Sequence, residues 1–426
     1  MVMPNQISVR GLAAIGWGLL ALCTLNSKIA GVLWGLGFIA AAVFAYRTRP
    51  WQSPSSSRID QAAQIWVWSA AGALGCWVAV AAIWGELFPL RSGEINSAAR
   101  LFTGALAAYW IVRSVPPRVS MAISPSAISL AIAIACVLAA FVSALTTARD
   151  GYPSNVIAWS SAVALLACLL IAPVIDRQSS FRTRVACALG IASALAAIAF
   201  SQTRGVYPVA LWIAAAAMAA GYRRSVHRIR VLTAAGISVI ALALALYVAA
   251  LHPGDPLRLR QAVSDLRQAT SSQQFNSSGG ARVYLAELGW RTVLDSPWLG
   301  IGADQRRELI HSSGLGESKE RAQALEHVRQ LGHVHNAYLH HTMDGGVIGL
   351  AGFLLPLMGL MLIAVRLRRV DRSAGVQLSG IIFVHATTNL TSVNLAHNYY
   401  ALMLAISVAI TLVQAKLRAQ LSPKQN

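Results

Sequence analysis

Four histidines and one aspartate stand close together in the stretch HVHNAYLHHTMDGGVIG, residues 333–349, which leads into an apolar segment. An imidazole has an ordinary pKa of about 6.5, so a neutral one can accept a proton from a hydroxyl group near neutral pH. Nearby positive charge disfavours its protonation and keeps it available as a base. The stretch therefore predicts a general base at the outer end of a membrane span.

Metal binding is the alternative use of these side chains. A His-x-His pair followed by further imidazoles resembles a ligand set, here His333, His335, His340 and His341. We expect no metal, because His335 and His340 are five residues apart, a poor spacing for one helical face, and no carboxylate pair completes a known catalytic arrangement. The remaining histidines are then structural or contact the substrate.

A first arginine lies in a tight turn between two apolar segments, Ser201-Gln202-Thr203-Arg204-Gly205. A guanidinium so close to hydrocarbon is costly unless it is paired or faces a wet cavity, which makes Arg204 a candidate site residue. The alternative is an arginine that extends to the lipid headgroups. Gly205 favours the first interpretation, because a glycine lets a ligand or another backbone approach closely.

A second arginine, Arg282, follows Ser277-Ser278-Gly279-Gly280 at the predicted start of a helix. The orphan amides and the macrodipole of a helix start favour negative charge, and a guanidinium binds phosphoryl oxygens with two hydrogen bonds. Together they predict a phosphate-binding site in which a lysine could not replace the planar arginine. A solvated arginine on the helix surface is the alternative.

The composition indicates that a membrane must position these residues. Of the 426 residues, 56% are hydrophobic and 12% are charged, which excludes a water-soluble globular protein. About 20 mainly apolar residues cross a bilayer as one helix, and the sequence predicts about twelve such spans. They lie roughly at 11–25, 29–46, 62–84, 101–113, 126–147, 155–175, 185–201, 206–221, 231–251, 345–366, 375–391 and 397–415.

The net charge of +19 sorts mostly to one side of the membrane, which argues against a nucleic-acid surface. The even-numbered connections are rich in arginine and the short odd-numbered ones are poor in it. By the positive-inside rule both termini are cytoplasmic, and the segment 252–334 faces outward. We therefore predict a membrane bundle of nine spans at 1–251, a periplasmic helical loop domain at 252–334 and a bundle of three spans at 335–426.

Amphipathic patterns predict that the loop domain is mostly helical. Helices are expected at 257–268, from Ala281 to about Asp295, and at 317–331, with apolar residues at spacings of three and four. The polar, glycine-tipped run 270–280 is expected to be a mobile loop that suits substrate entry.

A polar stripe in the eleventh span consists of His385, Asn389 and Ser392, which share one helical face. It predicts either a cavity at membrane depth or hydrogen bonds between helices. His397 and Asn398, at the start of the next span, could rim the same cavity.

His335-Asn336, nine further residues, Gly346, two residues and Gly349 fit the pattern H[NSQ]x9Gxx[GTY] without a mismatch. In this motif the chain resembles the bacterial O-antigen ligase family. The arginine turn before the eighth span, the Arg282 helix and a large loop late in a twelve-span chain are similar to that family too. These motifs occupy mainly residues 201–349.

The resemblance implies an inner-membrane glycosyltransferase that moves O-antigen polysaccharide from undecaprenyl diphosphate to the terminal sugar of lipid A-core. It implies no metal, nucleotide or other cofactor. His335 would be the base for the acceptor hydroxyl, and Arg204 and Arg282 would bind the diphosphate oxygens as the glycosidic bond breaks. Direct displacement would invert the anomeric centre.

Further substrate contacts are expected around this centre. Asn336 is expected to orient His335 or to contact sugar, and His397 to line the substrate cavity. Arg291 is expected to help gather the anionic lipids of the membrane. The basic helix that contains Arg258, Arg260 and Arg267 is expected to do the same.

Other functions stay open from the sequence. O-antigen polymerases and protein O-oligosaccharyltransferases share the ligase-like region and would use the same donor class with another acceptor. A transporter or flippase of lipid-linked glycans is the competing class, because twelve spans with both termini inside suit it as well. Transporters typically show repeat symmetry and charges deep in their spans. Here the charged candidates cluster on the outer side, which favours surface chemistry.

Overall fold

The computed structural model describes residues 26–49, 57–87, 93–114, 124–146, 151–176, 178–224 and 258–421. Within these ranges the chain forms α-helices and two 3₁₀ turns and no β-strand. The predicted all-α fold is therefore confirmed.

Long helices form a bundle, and shorter helices form an insertion within it. The first long helices are α1 (Ser27–Thr48), α2 (Arg58–Ile83), α3 (Gly93–Ser114), α4 (Pro125–Leu145), α5 (Val156–Ile175), α6 (Phe181–Phe200) and α7 (Pro208–Arg224). The loop segment, residues 258–334, contains α8 (Leu259–Ser272), α9 (Ser278–Asp295), α10 (Ala303–His311), α11 (Lys319–Ala324) and α12 (Glu326–Arg329). The bundle resumes with α13 (Ala337–Leu367), α14 (Arg372–Thr388) and α15 (Asn398–Leu421). The 3₁₀ turns at Arg204–Val206 and Asn394–Ala396 precede α7 and α15.

Eight helical segments among the described residues are long and apolar enough to cross a membrane. They are α1, α2, α4, α5, α6, the segment that contains α7, α13 and α15. Two further predicted spans coincide with α3, which carries Glu94, Arg100 and Arg113, and with α14, which has 17 residues. The predicted spans at 11–25 and 231–251 lie outside the described residues. The protein is a polytopic membrane protein, and the number of twelve spans stays a prediction.

α5 is the central helix of the bundle. Nearly all of its side chains are buried, because α4, α6, α7, α14 and α15 pack around it. A helix that is apolar on all sides is covered in this way in a folded protein. Its first turns lie at the loop face, which is the side of the bundle that carries the loop segment, and they bring buried Ser160 and Ser161 there.

The loop segment has a small hydrophobic core of its own. Its largest members are Phe275, Leu285, Ile310 and Leu325, and Met343 of α13 joins them. The predicted mobile loop at 270–280 is wrong in extent, because α8 continues to Ser272, α9 begins at Ser278 and Phe275 is buried between them. The predicted helix at 317–331 is divided at Leu325 into α11 and α12.

α13 is interrupted at Gly346, where φ is +57° and ψ is −142°. The turn at residues 297–302 fills the break. The amide of Val347 donates to the carbonyls of Pro297 and Trp298 at 3.1 and 3.2 Å. A Cβ at Gly346 would overlap the carbonyl of Trp298. This glycine of the motif is therefore required by both its positive φ and the close approach of the loop backbone.

The same turn is tied to the helix on the other side of the break. The amide of Ile301 donates to the carbonyl of Met343 at 2.7 Å, and the amide of Gly302 donates to the carbonyl of Asp344 at 3.1 Å. The indole N–H of Trp84, at the end of α2, donates to the carbonyl of residue 299 at 3.1 Å. The loop segment is thus joined to the bundle through backbone hydrogen bonds.

Candidate functional site

Arg204 is positioned by a buried group of hydroxyls beneath its turn. The hydroxyl of Ser160 on α5 lies 2.9 Å from that of Ser201 and 3.2 Å from that of Thr203. Gly205 packs so closely on Thr391 that a Cβ at this position would overlap the threonine hydroxyl. The small, hydroxyl-rich sequence of this turn is therefore what holds the arginine at the loop face.

Arg204 and Arg282 line the same pocket at the loop face. One Nη of Arg204 donates to the backbone carbonyl of Arg258 at 2.7 Å, and Arg258 also lines the pocket. The other lining residues are Ile157, Gln202, Thr203, Gly205, Ser278 and Thr391. Among the described residues this lining contains three arginines and no carboxylate. We call it the arginine pocket, and its charge favours an anionic ligand.

The helix that carries Arg282 starts differently from the prediction. The hydroxyl of Ser277 accepts a hydrogen bond from the amide of Gly280 at 3.0 Å. The carboxylate of Asp265 on α8 accepts one from the amide of Gly279 at 3.2 Å. These two amides are capped by the protein itself and are not open to a phosphate. The predicted cradle of helix-start amides is therefore wrong at these two positions, and the guanidinium of Arg282 stays the candidate anion-binding group.

The backbone of His335 is left-handed, with a φ of +54°. Asn336 is the N-cap of α13, since its side-chain oxygen accepts a hydrogen bond from the amide of Leu339 at 3.2 Å. The next amide, that of Ala337, donates to the carbonyl of Asn389 at 2.8 Å. An unusual backbone conformation persists only where the surrounding contacts dictate it. Asn336 thus fixes the backbone next to His335, which explains a short polar residue at this place in the motif.

The imidazole of His335 is half-buried, near Arg282 and beside His333. Burial and the positive charge of Arg282 lower the pKa of His335 to about 3. The ring centroid of His333 is 4.3 Å away, and burial and His335 lower the pKa of His333 as well. Both rings are therefore neutral near pH 7, the form that a general base requires.

His397 joins this group from the start of α15. Its ring centroid lies 6.4 Å from that of His333, and burial lowers its pKa too. The structure thus brings the predicted residues Arg204, Arg282, His335 and His397 to one part of the loop face. His333 lies between His335 and His397, and the sequence analysis predicts no specific role for it.

Arg291 does not join the arginine pocket. It follows Arg282 by nine residues, which turns it to the opposite side of α9, about 14 Å further along the helix. Its side chain is exposed and forms an ion pair with Glu287 at 2.5 Å. Arg291 therefore faces the surroundings of the loop segment.

The polar stripe of α14 forms hydrogen bonds between and along helices. The Nδ1 atom of His385 lies 3.1 Å from the hydroxyl of Tyr400 on α15 and 3.2 Å from the side-chain amide of Asn389. His385, Asn389 and Ser392 are all buried. The sequence allowed a cavity or hydrogen bonds between helices at this stripe, and the structure shows hydrogen bonds.

Arg306 of α10 is a site residue that the sequence did not indicate. It is buried, and it binds both carboxylate oxygens of Asp344 on α13 at 2.5 and 3.2 Å. It also donates to the carbonyl of Gly332, just before the histidines. Its partner lies 38 residues away, so no local pattern distinguishes Arg306 from the other arginines of the loop segment.

A second group of potential ligands lies close to Arg306. The Nε2 atom of His340 is 3.1 Å from a carboxylate oxygen of Glu94 on α3 and 3.6 Å from one of Asp344. Glu94, His340 and His341 each offer an atom within 4.8 Å of the others, so the three residues could hold a metal ion. The sequence argument against a metal overlooked Glu94, which precedes His340 by 246 residues.

Fold and site together define a polytopic membrane protein that gathers arginines and neutral imidazoles at one face. The family model described as O-antigen ligase matches residues 189–354, from α6 into α13. Over these residues the chain matches the O-antigen ligase family, which supports the resemblance seen in the histidine motif. The matched region contains Arg204, Arg282 and His335. A search of curated proteins finds no match to the chain.

Proposed function

We propose that this protein is a glycosyltransferase that transfers O-antigen polysaccharide from undecaprenyl diphosphate to lipid A-core in lipopolysaccharide assembly. The family supports a reaction of the ligase or polymerase type. The observation that carries the specific proposal is the arrangement of the arginine pocket near a neutral His335. Displacement of a sugar from a diphosphate needs cations for the leaving group and a base for the incoming hydroxyl, and these residues supply both.

The donor diphosphate binds in the arginine pocket. Arg204 and Arg282 contact phosphoryl oxygens, and Arg258 adds a third positive charge to the lining. When the bond between the anomeric carbon and the diphosphate oxygen breaks, its electron pair stays on that oxygen. The guanidinium groups stabilise the charge that develops there.

His335 accepts the proton of the acceptor hydroxyl. The acceptor oxygen then attacks the anomeric carbon from the side opposite the diphosphate, which inverts the anomeric configuration. The imidazolium that forms is stabilised by the negative charge of the departing diphosphate. Asn336 and His397 flank this centre and are proposed to contact the sugars. No step uses a metal ion or a cofactor.

The site is proposed to face the periplasm from the inner membrane, with both termini in the cytoplasm. At the side of the bundle opposite the loop face, helices end or begin with basic residues, among them Arg47, Arg113, Arg366 and Arg372. Short connections rich in arginine are typical of the cytoplasmic side, which supports this orientation. Single cysteines placed on each face are labelled in intact cells with a thiol reagent that does not cross the inner membrane. A cysteine at the loop face that reacts only with a reagent able to enter the cytoplasm would contradict this orientation.

Reconstitution into liposomes tests the reaction. The protein is supplied with purified lipid-linked O-antigen and lipid A-core, without nucleotide, and the products are separated by size and by lipid anchor. Polysaccharide attached to lipid A-core supports the proposal. Lengthening of the lipid-linked glycan with no product on lipid A-core would identify a polymerase. Movement of unmodified donor between leaflets, with no transfer, would identify a transporter.

A further inference from the structure

A buried group of three potential metal ligands lies behind the histidines of the active site. Glu94 begins α3, whereas His340 and His341 lie in the first turns of α13. All three side chains are buried, with exposed fractions of 7%, 1% and 0%. One ligand atom of each lies within 4.8 Å of the other two. Two distant parts of the chain therefore bring two imidazoles and one carboxylate to a single point.

The hydrogen bonding of the two imidazoles is incomplete. Within the described residues, neither ring nitrogen of His341 has a hydrogen-bond partner, and neither does Nδ1 of His340. A polar group that is buried without a partner destabilises the folded protein. The ring of His341 packs against Trp77 and Phe353, with ring centroids 4.9 and 5.0 Å away. These apolar walls offer a water molecule no further hydrogen bonds, so a cation is the ligand that suits the free lone pairs.

We propose that Glu94, His340 and His341 bind one divalent transition-metal ion with the ligand preference of Zn²⁺. Imidazole nitrogens and a carboxylate oxygen are ligands that Zn²⁺ takes, whereas Mg²⁺ and Ca²⁺ favour oxygen alone. Ligand atoms of a tetrahedral zinc site lie about 3.3 Å apart, since the bonds are about 2.0–2.1 Å long. The 3.1 Å distance between His340 and Glu94 already fits.

The carboxylate of Asp344 lies next to the three proposed ligands. One of its carboxylate oxygens lies 3.6 Å from Nε2 of His340, and Arg306 holds the same carboxylate from the loop segment. A metal ligand is commonly oriented by such an outer partner. The ion would therefore join α3 to α13 and, through Asp344, to the loop segment.

The ion is a structural element and does not touch the reacting atoms. His333 lies between the two places, with ring centroids 4.3 Å from His335 and 6.3 Å from His340. The transfer chemistry proposed for His335 proceeds without the ion. The metal holds the first turns of α13, and with them the segment that begins at His335.

Metal analysis of the purified protein tests the site. The full chain is prepared without a polyhistidine tag and without chelators, and its metal content is measured by mass spectrometry. We expect one equivalent of zinc per chain. Glu94→Gln and His341→Ala are expected to lower the affinity for zinc at least about tenfold. His385→Gln, at a buried histidine outside the group, and His311→Gln, at an exposed one, are expected to keep the metal.

X-ray absorption spectroscopy of the zinc-loaded wild-type protein tests the site without any variant. Scattering from two imidazoles and one or two carboxylate oxygens is expected. A wild-type protein that contains no metal, and whose thermal unfolding does not respond to added zinc, would overturn the proposal. Zinc retained by both Glu94→Gln and His341→Ala, or zinc without imidazole ligands, would also overturn it.

The metal site and the proposed function can fail separately. His335→Gln is expected to bind zinc like the wild type and to lose transfer. If the wild type binds zinc at this site but transfers no glycan, the function fails and the metal site stands. If the wild type transfers glycan and holds no zinc, the metal site fails and the proposed function stands.

Discussion

The loop face contains two arrangements of arginine that use the same side chain differently. Arg306 is almost fully buried and bonds inside the protein, to Asp344 and to a backbone carbonyl. Arg204, Arg258 and Arg282 share an opening whose described lining has no carboxylate. A guanidinium paired with a buried carboxylate holds parts of a fold together, whereas several guanidiniums around an opening that lacks a carboxylate favour an anion from outside. The comparison separates anchoring of the loop segment from the proposed binding of the donor.

The largest effect is expected at His335, the proposed base near the arginine pocket. His335→Gln keeps much of the side-chain volume but cannot take up the proton, so transfer is expected to fall by about 10²–10⁴-fold. The measurement is the initial rate of transfer in liposomes with equal amounts of folded protein. His311→Gln, on the exposed side of α10, is the control and should keep its rate. A near-normal rate for His335→Gln would remove this residue from the mechanism.

The anchoring arginine should affect stability instead. Arg306→Met leaves the buried carboxylate of Asp344 without its cation, which is expected to lower the free energy of unfolding by about 3–5 kcal/mol. Thermal unfolding in detergent measures the change. Adding Asp344→Leu removes the unpaired charge and should restore part of the loss. If Arg306→Met unfolds at the wild-type temperature, the pair does not anchor the loop segment.

Arg282→Lys tests the other half of the comparison. Lysine keeps the charge but loses the planar pair of N–H donors, so the donor should bind or react roughly tenfold less well, or worse. Thermal stability should stay close to that of the wild type. Arg307→Lys, at a half-exposed arginine paired with Asp304, is the matched control. Loss of stability with unchanged donor kinetics would make Arg282 an anchoring residue like Arg306.

A smaller effect is expected at the cap of α13. Asn336→Ala removes the acceptor for the amide of Leu339 and should lower stability by about 1 kcal/mol. Asn336→Ser restores an acceptor and should recover most of it. Thermal unfolding compares the three proteins. If serine fails to restore stability while transfer is lost in both variants, Asn336 acts on the substrate rather than on the helix.

The smallest effect is expected from pH on the reaction itself. An ordinary imidazole is half protonated at about pH 6.5. Because the pKa of His335 is lowered to about 3, its ring stays neutral at pH values well below 6.5. The value of kcat/KM should change by less than about twofold between pH 7.5 and 5.5. If kcat/KM falls by half at pH 6.5 while donor binding does not change with pH, the lowered pKa of His335 is contradicted.

The same lowered pKa values act on folding with a defined sign. Between about pH 6.5 and pH 3, the unfolded chain takes up protons at His333 and His335, whereas the folded protein does not, and the lowered pKa of His397 acts in the same direction. Stability should therefore be full above pH 6.5 and fall as the pH drops below it. Melting temperatures measured across this range check the direction.

Much of the fold could be predicted because apolar length is a local property of the chain. Most predicted spans with described residues coincide with a helix, and the arginine turn, the Arg282 helix and the histidine motif meet at one face. Pairs between distant segments could not be predicted from such patterns. Asp265 caps a helix that begins 13 residues later, and Glu94 reaches His340 across most of the chain. These contacts depend on how the helices are arranged, and spacing along one helix does not contain that information.

The break at Gly346 has a practical consequence for exchanging parts between relatives. The turn at 297–302 supplies backbone partners to both halves of α13, so neither half has its hydrogen bonds complete without the insertion. A chimaera that swaps the insertion but keeps its own α13 would join mismatched surfaces at this point. Grafts that carry residues 258–367 as one piece should be the ones that fold.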